Sequence, residues 1–300
     1  MAFQVLRMSK QTRTSLWLGL LFISPWLINF FALTLYPFFA SFYYSLTYYN
    51  VFNPPMFVGL GNYRDLFADK LFWISLYNTA YYTFFSITLG TVLAIVIAML
   101  LNMKVEFRPL YRTIYYLPSV TPAVANAIVW AWLFNPLYGP INAVLSMLNI
   151  PAPSWFGDPF WAKPALIIIG FWGLGQAIVI YLASLQDVPR ELIEAADLDG
   201  AGPWQKIWRV TLPLISPVIL FNVITGLIGA FQYFTEAYVL TQGGPADSTL
   251  FYGLYLYSSA FRYFKMGYAS ALAWILFLII MLITLVTFRI SRNRVHYMGG

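Results

Sequence analysis

Glu191, Glu194 and Asp197 recur at three-residue spacing in the run LQDVPRELIEAADLDGAGPWQKIWRVTLP, with Leu192, Ala195, Ala196 and Leu198 beside them. On a helix this spacing sets the carboxylates in a stripe next to a small, apolar face. No nucleophile, base and metal set accompanies them, so the chemistry on offer is recognition. Acids of this kind meet basic groups at the rim of a groove while the apolar face packs inside it. The rest of the chain gives catalysis little to use. With no cysteine and a single histidine, His296, it excludes disulfides, Cys/His metal sites and histidine-based triads. It also lacks a GxxxxGK[ST] phosphate loop, so ATP hydrolysis is not expected of this chain.

The residues around the acids predict two short helices about a sharp turn. Asp187 is placed to cap a first helix entered through Pro189. Gly200 and Gly202 permit the backbone that ends it, Pro203 suits the opening turn of the second, and Pro213 closes that helix and starts the next apolar run.

A second set of polar side chains lies inside apolar runs: Asn126, Gln176, Asn222, Gln232 and Glu236, with Trp172, Tyr181 and Tyr233 nearby. Amides and aromatic faces without strong charge suit a neutral, polyhydroxylated solute. Trp172 and Gln176 are four apart, as are Gln232 and Glu236, so each pair is expected on one helix face. We take Trp172, Gln176, Asn222, Gln232, Tyr233 and Glu236 as candidate path residues. The competing reading is packing, because amides commonly bond across helix bundles in lipid. Glu236 is the single acid expected within a span, a position that marks function by default.

The elements that must hold these groups follow from composition. Of 300 residues, 60% are hydrophobic and 9% charged, against about a quarter charged in soluble domains. Six apolar runs are long enough to cross a bilayer, near residues 16–46, 73–101, 114–134, 164–185, 214–240 and 269–288. The length of the first, without a small-residue cleavage site, argues against a removable signal peptide. All 17 Lys and Arg residues fall between the runs, twelve on one side and five (Arg64, Lys70, Lys163, Arg262, Lys265) on the other. The basic side is the cytoplasmic one, which places both termini there. Residues 141–150 are too short to span and are expected along the outer surface. The organisation expected is a cytoplasmic segment at residues 1–15, a six-helix transmembrane domain at 16–290 containing the loop at 186–213, and a cytoplasmic tail at 291–300.

Glu194-Ala195-Ala196, then Gly200, then Leu212-Pro213 resemble the EAA loop of ABC importer permeases, with Val210 standing where isoleucine is usual. Three further segments are similar to the maltose-type carbohydrate branch: FVGLGNYRDLF at 57–67, YRTIYYLP with WLFNPLYGPIN across 111–142, and LTQGGP at 240–245. The resemblance implies an all-α integral membrane protein of the type I importer permease fold, with six transmembrane helices and a helix-turn-helix coupling loop. It implies that Glu191, Glu194, Ala195, Ala196, Asp197, Asp199, Gly200, Leu212 and Pro213 form a surface that docks on an ATPase subunit. Expected partners are a second, unlike permease, a dimer of ATPase subunits and an extracytoplasmic sugar-binding protein, with no nucleic acid. No cofactor is expected on this chain; ATP and magnesium belong to the ATPase. The expected location is the bacterial inner membrane. Two other readings compete: an importer for another solute such as a polyamine, which would want several acids in its path, and an ion-coupled carrier, which would leave the acidic loop without a purpose.

Overall fold

The computed structural model describes residues 10–103 and 106–292. Arg7, Lys104, Arg294 and His296, and most of both expected terminal segments, lie outside the described residues. Helices dominate, and they form two compact units, the described parts of residues 1–66 with 259–274 and of residues 67–258 with 275–300.

The first unit opens with α1 (Lys10–Asn29), which passes through a π-helical stretch, Phe30–Leu35, into α2 (Tyr36–Ser45). Pro25 and Pro37 do not end this run: Thr14–Ser45 is continuous, long and apolar enough to cross a membrane. A two-stranded antiparallel ribbon follows, β1 (Thr47–Tyr48) on β2 (Met56–Phe57), with Thr47 opposite Phe57. Asn62, buried at the start of α3 (Gly61–Ala68), donates from Nδ2 to the Ser45 and Thr47 carbonyls at 2.8 and 2.9 Å. Gly267 is required beside them, because a Cβ there would stand 2.0 Å from the Thr47 carbonyl oxygen. On α2, the rings of Phe38 and Phe42 pack against Trp274, whose Nε1 donates to Ser41 Oγ at 3.2 Å.

The second unit is built on α4 (Lys70–Asn102), capped by Asp69, whose carboxylate accepts from the Leu71 N–H at 2.9 Å. Small residues on one face of α4, Ala94 and Ala98, admit the apolar side chains Ile178, Tyr181, Leu182 and Leu185 of α9 (Gly175–Gln186), together with Ile215. Close approach through small residues is the usual way helices associate in lipid, where burial alone supplies little driving force. After α4 come α5 (Arg108–Val120), α6 (Ala123–Leu133) and the eight-residue α7 (Pro140–Met147). α7 is fixed from one side by Asn142, which accepts from Trp155 Nε1 at 2.7 Å and donates to the Pro153 carbonyl at 3.1 Å. Next are α8 (Pro159–Trp172), α9, α10 (Arg190–Leu198), α11 (Pro203–Lys206), α12 (Leu212–Phe231), α13 (Thr235–Leu240), α14 (Tyr252–Tyr257) and α15 (Met266–Ser291).

Among the described residues, four helical runs are long and apolar enough to span: Thr14–Ser45, Lys70–Asn102, Pro203–Leu240 and Met266–Ser291. The pair α8 and α9, bent by 49°, makes a fifth if counted as one. The third expected run is divided. Thr121, held extended (φ −72°, ψ 132°) before Pro122, separates α5 from α6, and neither helix alone has spanning length. The fourth run breaks at Gly173–Leu174, so Trp172 and Gln176 do not share one continuous helix face as the spacing predicted. Gly175 explains the geometry there. A Cβ at Gly175 would lie 2.4 Å from the Tyr115 carbonyl oxygen, so the start of α9 meets the α5 backbone directly. The fifth run is interrupted at Gln232–Phe234, which places Gln232 at the end of α12 and Glu236 in the first turn of α13, on different helices. The Gln232 and Tyr233 carbonyls freed by this break face Gly253, where a Cβ would stand 3.1 Å from the Tyr233 oxygen.

Candidate functional site

Two places gather the singled-out residues, and both lie in the second unit. The first is a groove of about 370 Å³ between the α8–α9 bend and α12, lined by Gly173, Leu174, Gln176, Ala177, Ile180, Phe221, Asn222, Thr225 and Gly226. Its polar groups are uncharged. Asn222 uses Nδ2 on the Val218 carbonyl at 3.0 Å, which leaves Oδ1 as an acceptor. Thr225 Oγ1 donates to the Phe221 carbonyl at 2.9 Å and keeps its lone pairs. The Gln176 amide is exposed and has no hydrogen-bond partner among the described residues. Amide donors and acceptors beside the flat face of Phe221 can bind hydroxyl-rich solutes without selecting for charge.

The other candidate path residues are placed elsewhere. Trp172 stands edge-on to Trp130, with ring centres 5.8 Å apart, at the end of α8. Tyr233 stacks on Tyr82 at 4.2 Å and meets Phe251 edge-on at 5.2 Å, so its ring is engaged in packing. Gln232 is exposed at the end of α12, and half-buried Glu236 opens α13 outside the groove lining. Gln176 and Asn222 are therefore the two candidates the fold brings together. Thr225 and Phe221 were missed. The signal for Thr225 was present, since three residues after Asn222 it falls on the same face of α12.

The second place is the hairpin of α10 and α11. Pro189 precedes α10 with no side-chain cap, and Asp187 instead terminates α9, its N–H donating to the Ala183 carbonyl at 3.2 Å; the expected Asp187 cap is not formed. Gly200 adopts φ +74°, with the Ala201 N–H reaching back to the Ala196 carbonyl at 2.9 Å, the glycine-dependent way to close a helix. Gly202 is extended, not left-handed, and donates its N–H to Gln205 Oε1 at 3.1 Å. The second helix is not closed by Pro213 as expected. It continues through a π-helical stretch, Ile207–Thr211, straight into α12. Pro213 accounts for that stretch: its ring would clash with the carbonyl four residues back, and the wider turn has the Leu212 N–H donating to the Ile207 carbonyl instead.

The predicted acidic stripe is modified by one ion pair. Asp197 Oδ1 meets Lys206 Nζ at 2.6 Å across the hairpin, leaving Glu191 and Glu194 as its exposed acids. Around them the surface is strongly apolar, with Leu198 91%, Trp204 74% and Trp208 66% exposed. Apolar side chains beside free acids make a surface that a partner protein or the headgroup region can cover.

Membrane-length helices, a polar groove at a helix bend and an exposed helical hairpin define a polytopic transport subunit. The chain belongs to the family of binding-protein-dependent transport system inner membrane components, whose pattern matches residues 86–295. It is 40% identical over 298 residues to the probable ABC transporter permease protein YesP of Bacillus subtilis, covering 97% of this chain and 96% of that one. It is 35% identical to the lactose transport system permease protein LacF of Rhizobium radiobacter, covering 92% and 94%. The trehalose/maltose permease MalF of Thermococcus litoralis is 33% identical, again with 92% and 94% covered. In fold the chain is similar to a subunit of a bacterial alginate ABC transporter crystallised with a pentasaccharide-bound periplasmic protein, at a TM-score of 0.83 and 23% identity over 94% of this chain and 96% of that one. The ion-coupled carrier is thereby excluded, and helix breaks, which such carriers also contain, do not separate the classes.

Proposed function

We propose that this chain is the permease subunit through which an ATP-binding cassette importer moves a di- or oligosaccharide. The observation that carries the reading is the hairpin: an exposed apolar and acidic surface with no role inside the chain, whose second helix, α11, runs on into α12, which lines the groove. Relatives named for lactose, trehalose/maltose and arabinooligosaccharide transport support sugar as the solute, as does a groove lining without charge.

In this reading an ATPase subunit, holding ATP and magnesium, receives α10 in a cleft. Leu198 and Trp204 fill apolar space there, and Glu191 and Glu194 meet basic groups at its rim. Closure of the ATPases pushes the hairpin, and α12 carries the displacement to Asn222 without an intervening loop. The bend at Gly173–Leu174 is the joint on the opposite wall, so the groove opens to one side of the membrane or the other as the two walls rock. The chain supplies binding and geometry and hydrolyses nothing itself. Both termini and the hairpin face the cytoplasm, a second permease completes the path, and a sugar-binding protein delivers solute from outside.

The test is co-purification in mild detergent of the tagged wild-type chain and of a Glu194→Lys, Gly200→Pro variant, with bound chains identified by mass spectrometry. The wild type is expected to retain an ATPase and a second permease, and the variant to lose the ATPase alone. A wild type that remains solitary across detergents that preserve its fold overturns the docking role.

A further inference from the structure

Lys163, half-buried in the second turn of α8, is a cation the transport reading does not use. Its Nζ lies 5.0 and 4.9 Å from the ring centres of Tyr77 and Tyr81 on α4, and it donates to Asn78 Oδ1 at 3.1 Å. Asn78 is in turn occupied: its Nδ2 donates to the carbonyls of Asp247 (2.8 Å) and Leu250 (3.2 Å). One ammonium hydrogen is thus satisfied and two remain. Among the described residues no carboxylate lies within ion-pair distance of Lys163. Ring faces attract a cation but do not neutralise it. An ammonium without a carboxylate partner, set beside tyrosines at the end of an apolar run where headgroups lie, is placed to meet an anion.

The neighbouring surface says which one. Tyr77, Tyr81, Phe84, Thr88 and Val92 follow at four-, three-, four- and four-residue steps along one face of α4, and Tyr77 and Phe84 are each 63% exposed. From Tyr77 to Val92 this face runs about 22 Å at 1.5 Å per residue, enough to cover one leaflet of hydrocarbon at roughly 15 Å. Lys163 stands at its head. The far end of α4, at Ala94, Ala98 and Leu101, packs on α9, which leads into the hairpin, so Lys163 belongs to the membrane face away from the hairpin.

We propose that Lys163, framed by Tyr77 and Tyr81, binds the phosphodiester of an anionic phospholipid in the leaflet opposite the hairpin, with an acyl chain along the Tyr77–Val92 face of α4. Two free ammonium hydrogens suit two phosphate oxygens, and the aromatic rings at headgroup depth hold the lysine stem in place.

The experiment is native mass spectrometry of the intact transporter, purified from its membranes and titrated with phosphatidylglycerol, phosphatidylethanolamine or inorganic phosphate alone. Lys163→Gln is expected to weaken phosphatidylglycerol retention about fivefold, in line with the electrostatic contribution of one basic residue near a membrane surface. Lys163→Arg and the control Lys70→Gln are expected to retain it as wild type does. Tyr77→Leu keeps the Lys163–Asn78 bond and is expected to weaken retention in part, so it serves where Lys163→Gln fails to assemble. Unchanged retention in Lys163→Gln, or in Tyr77→Leu where that variant must stand in, overturns the site. So does equal retention of the two lipids, or a Lys163-dependent adduct of inorganic phosphate that lipid does not displace.

Discussion

Asn222 is held by the Val218 carbonyl at 3.0 Å with its amide oxygen turned free, while Gln176 across the groove has no partner of its own. Under the proposed function these free amide groups are the ones that meet the sugar, a role that substitution at Asn222 tests. Replacing Asn222 with Leu keeps the volume and removes the acceptor. One neutral hydrogen bond is worth about 1 kcal/mol, so the sugar concentration for half-maximal uptake in proteoliposomes is expected to rise about fivefold. Glu236→Gln, outside the groove, is expected to leave that concentration within about twofold of wild type. A larger effect of Glu236 than of Asn222 would move the path toward α13. At this scale the sequence was readable in kind and less so in place. Polar residues in apolar runs were visible at once, but their partners were not, because helical spacing separates groove from packing only where the helix continues. Tyr233 carries the same signal as Asn222, and its ring is spent on Tyr82 and Phe251.

Element ends fixed by local chemistry were legible in part, and those fixed by tertiary contact were not. Gly200 announces the end of α10 as expected, whereas Pro122, which divides α5 from α6, goes unused in the reading of residues 114–134 as one run. The break at Gln232–Phe234 has neither glycine nor proline in its own residues; its carbonyls are met by Gly253 in a distant segment, which no local pattern predicts. Nor did spacing disclose that Lys206 neutralises Asp197, since nine residues and a turn separate them. That pair is solvent-exposed in part and contributes about 0–1 kcal/mol, so the hairpin owes its shape chiefly to Gly200. Nothing stands within 4 Å of a Cβ built at Gly200, yet its φ of +74° is costly for any other residue. Gly200→Val is therefore expected to unwind the turn between α10 and α11 without a clash elsewhere. ATPase-subunit retention in detergent should fall, while the thermal midpoint of the permease itself stays within a few degrees. If retention is unaffected, the hairpin geometry is not what the ATPase reads.

For the whole molecule the open quantity is the number of crossings, and parity decides it. Helical runs supply four spans, the bent pair α8–α9 a fifth, and α5–α6 a sixth only if two short helices cross as one. Six crossings put the N-terminal segment, the hairpin and the C-terminal end on one side, as the bias of the 17 basic residues predicts; five put residue 11 and the hairpin on opposite sides. The chain contains no cysteine, so single cysteines report without background. Gln11→Cys, Asp199→Cys and Arg292→Cys should resist a membrane-impermeant maleimide applied from outside intact spheroplasts and react after lysis. Asn53→Cys and Ala152→Cys should react before lysis. Ala152→Cys is the decisive position, because it follows α5–α6 directly. Were it protected and Asp199→Cys labelled from outside, α5 and α6 would not cross, and the hairpin would face away from the compartment that holds ATP. Labelling in the expected pattern makes the divided third run a membrane crossing in its own right, with its break at Pro122 beside the α8–α9 bend through the contact of Gly175 on the α5 backbone.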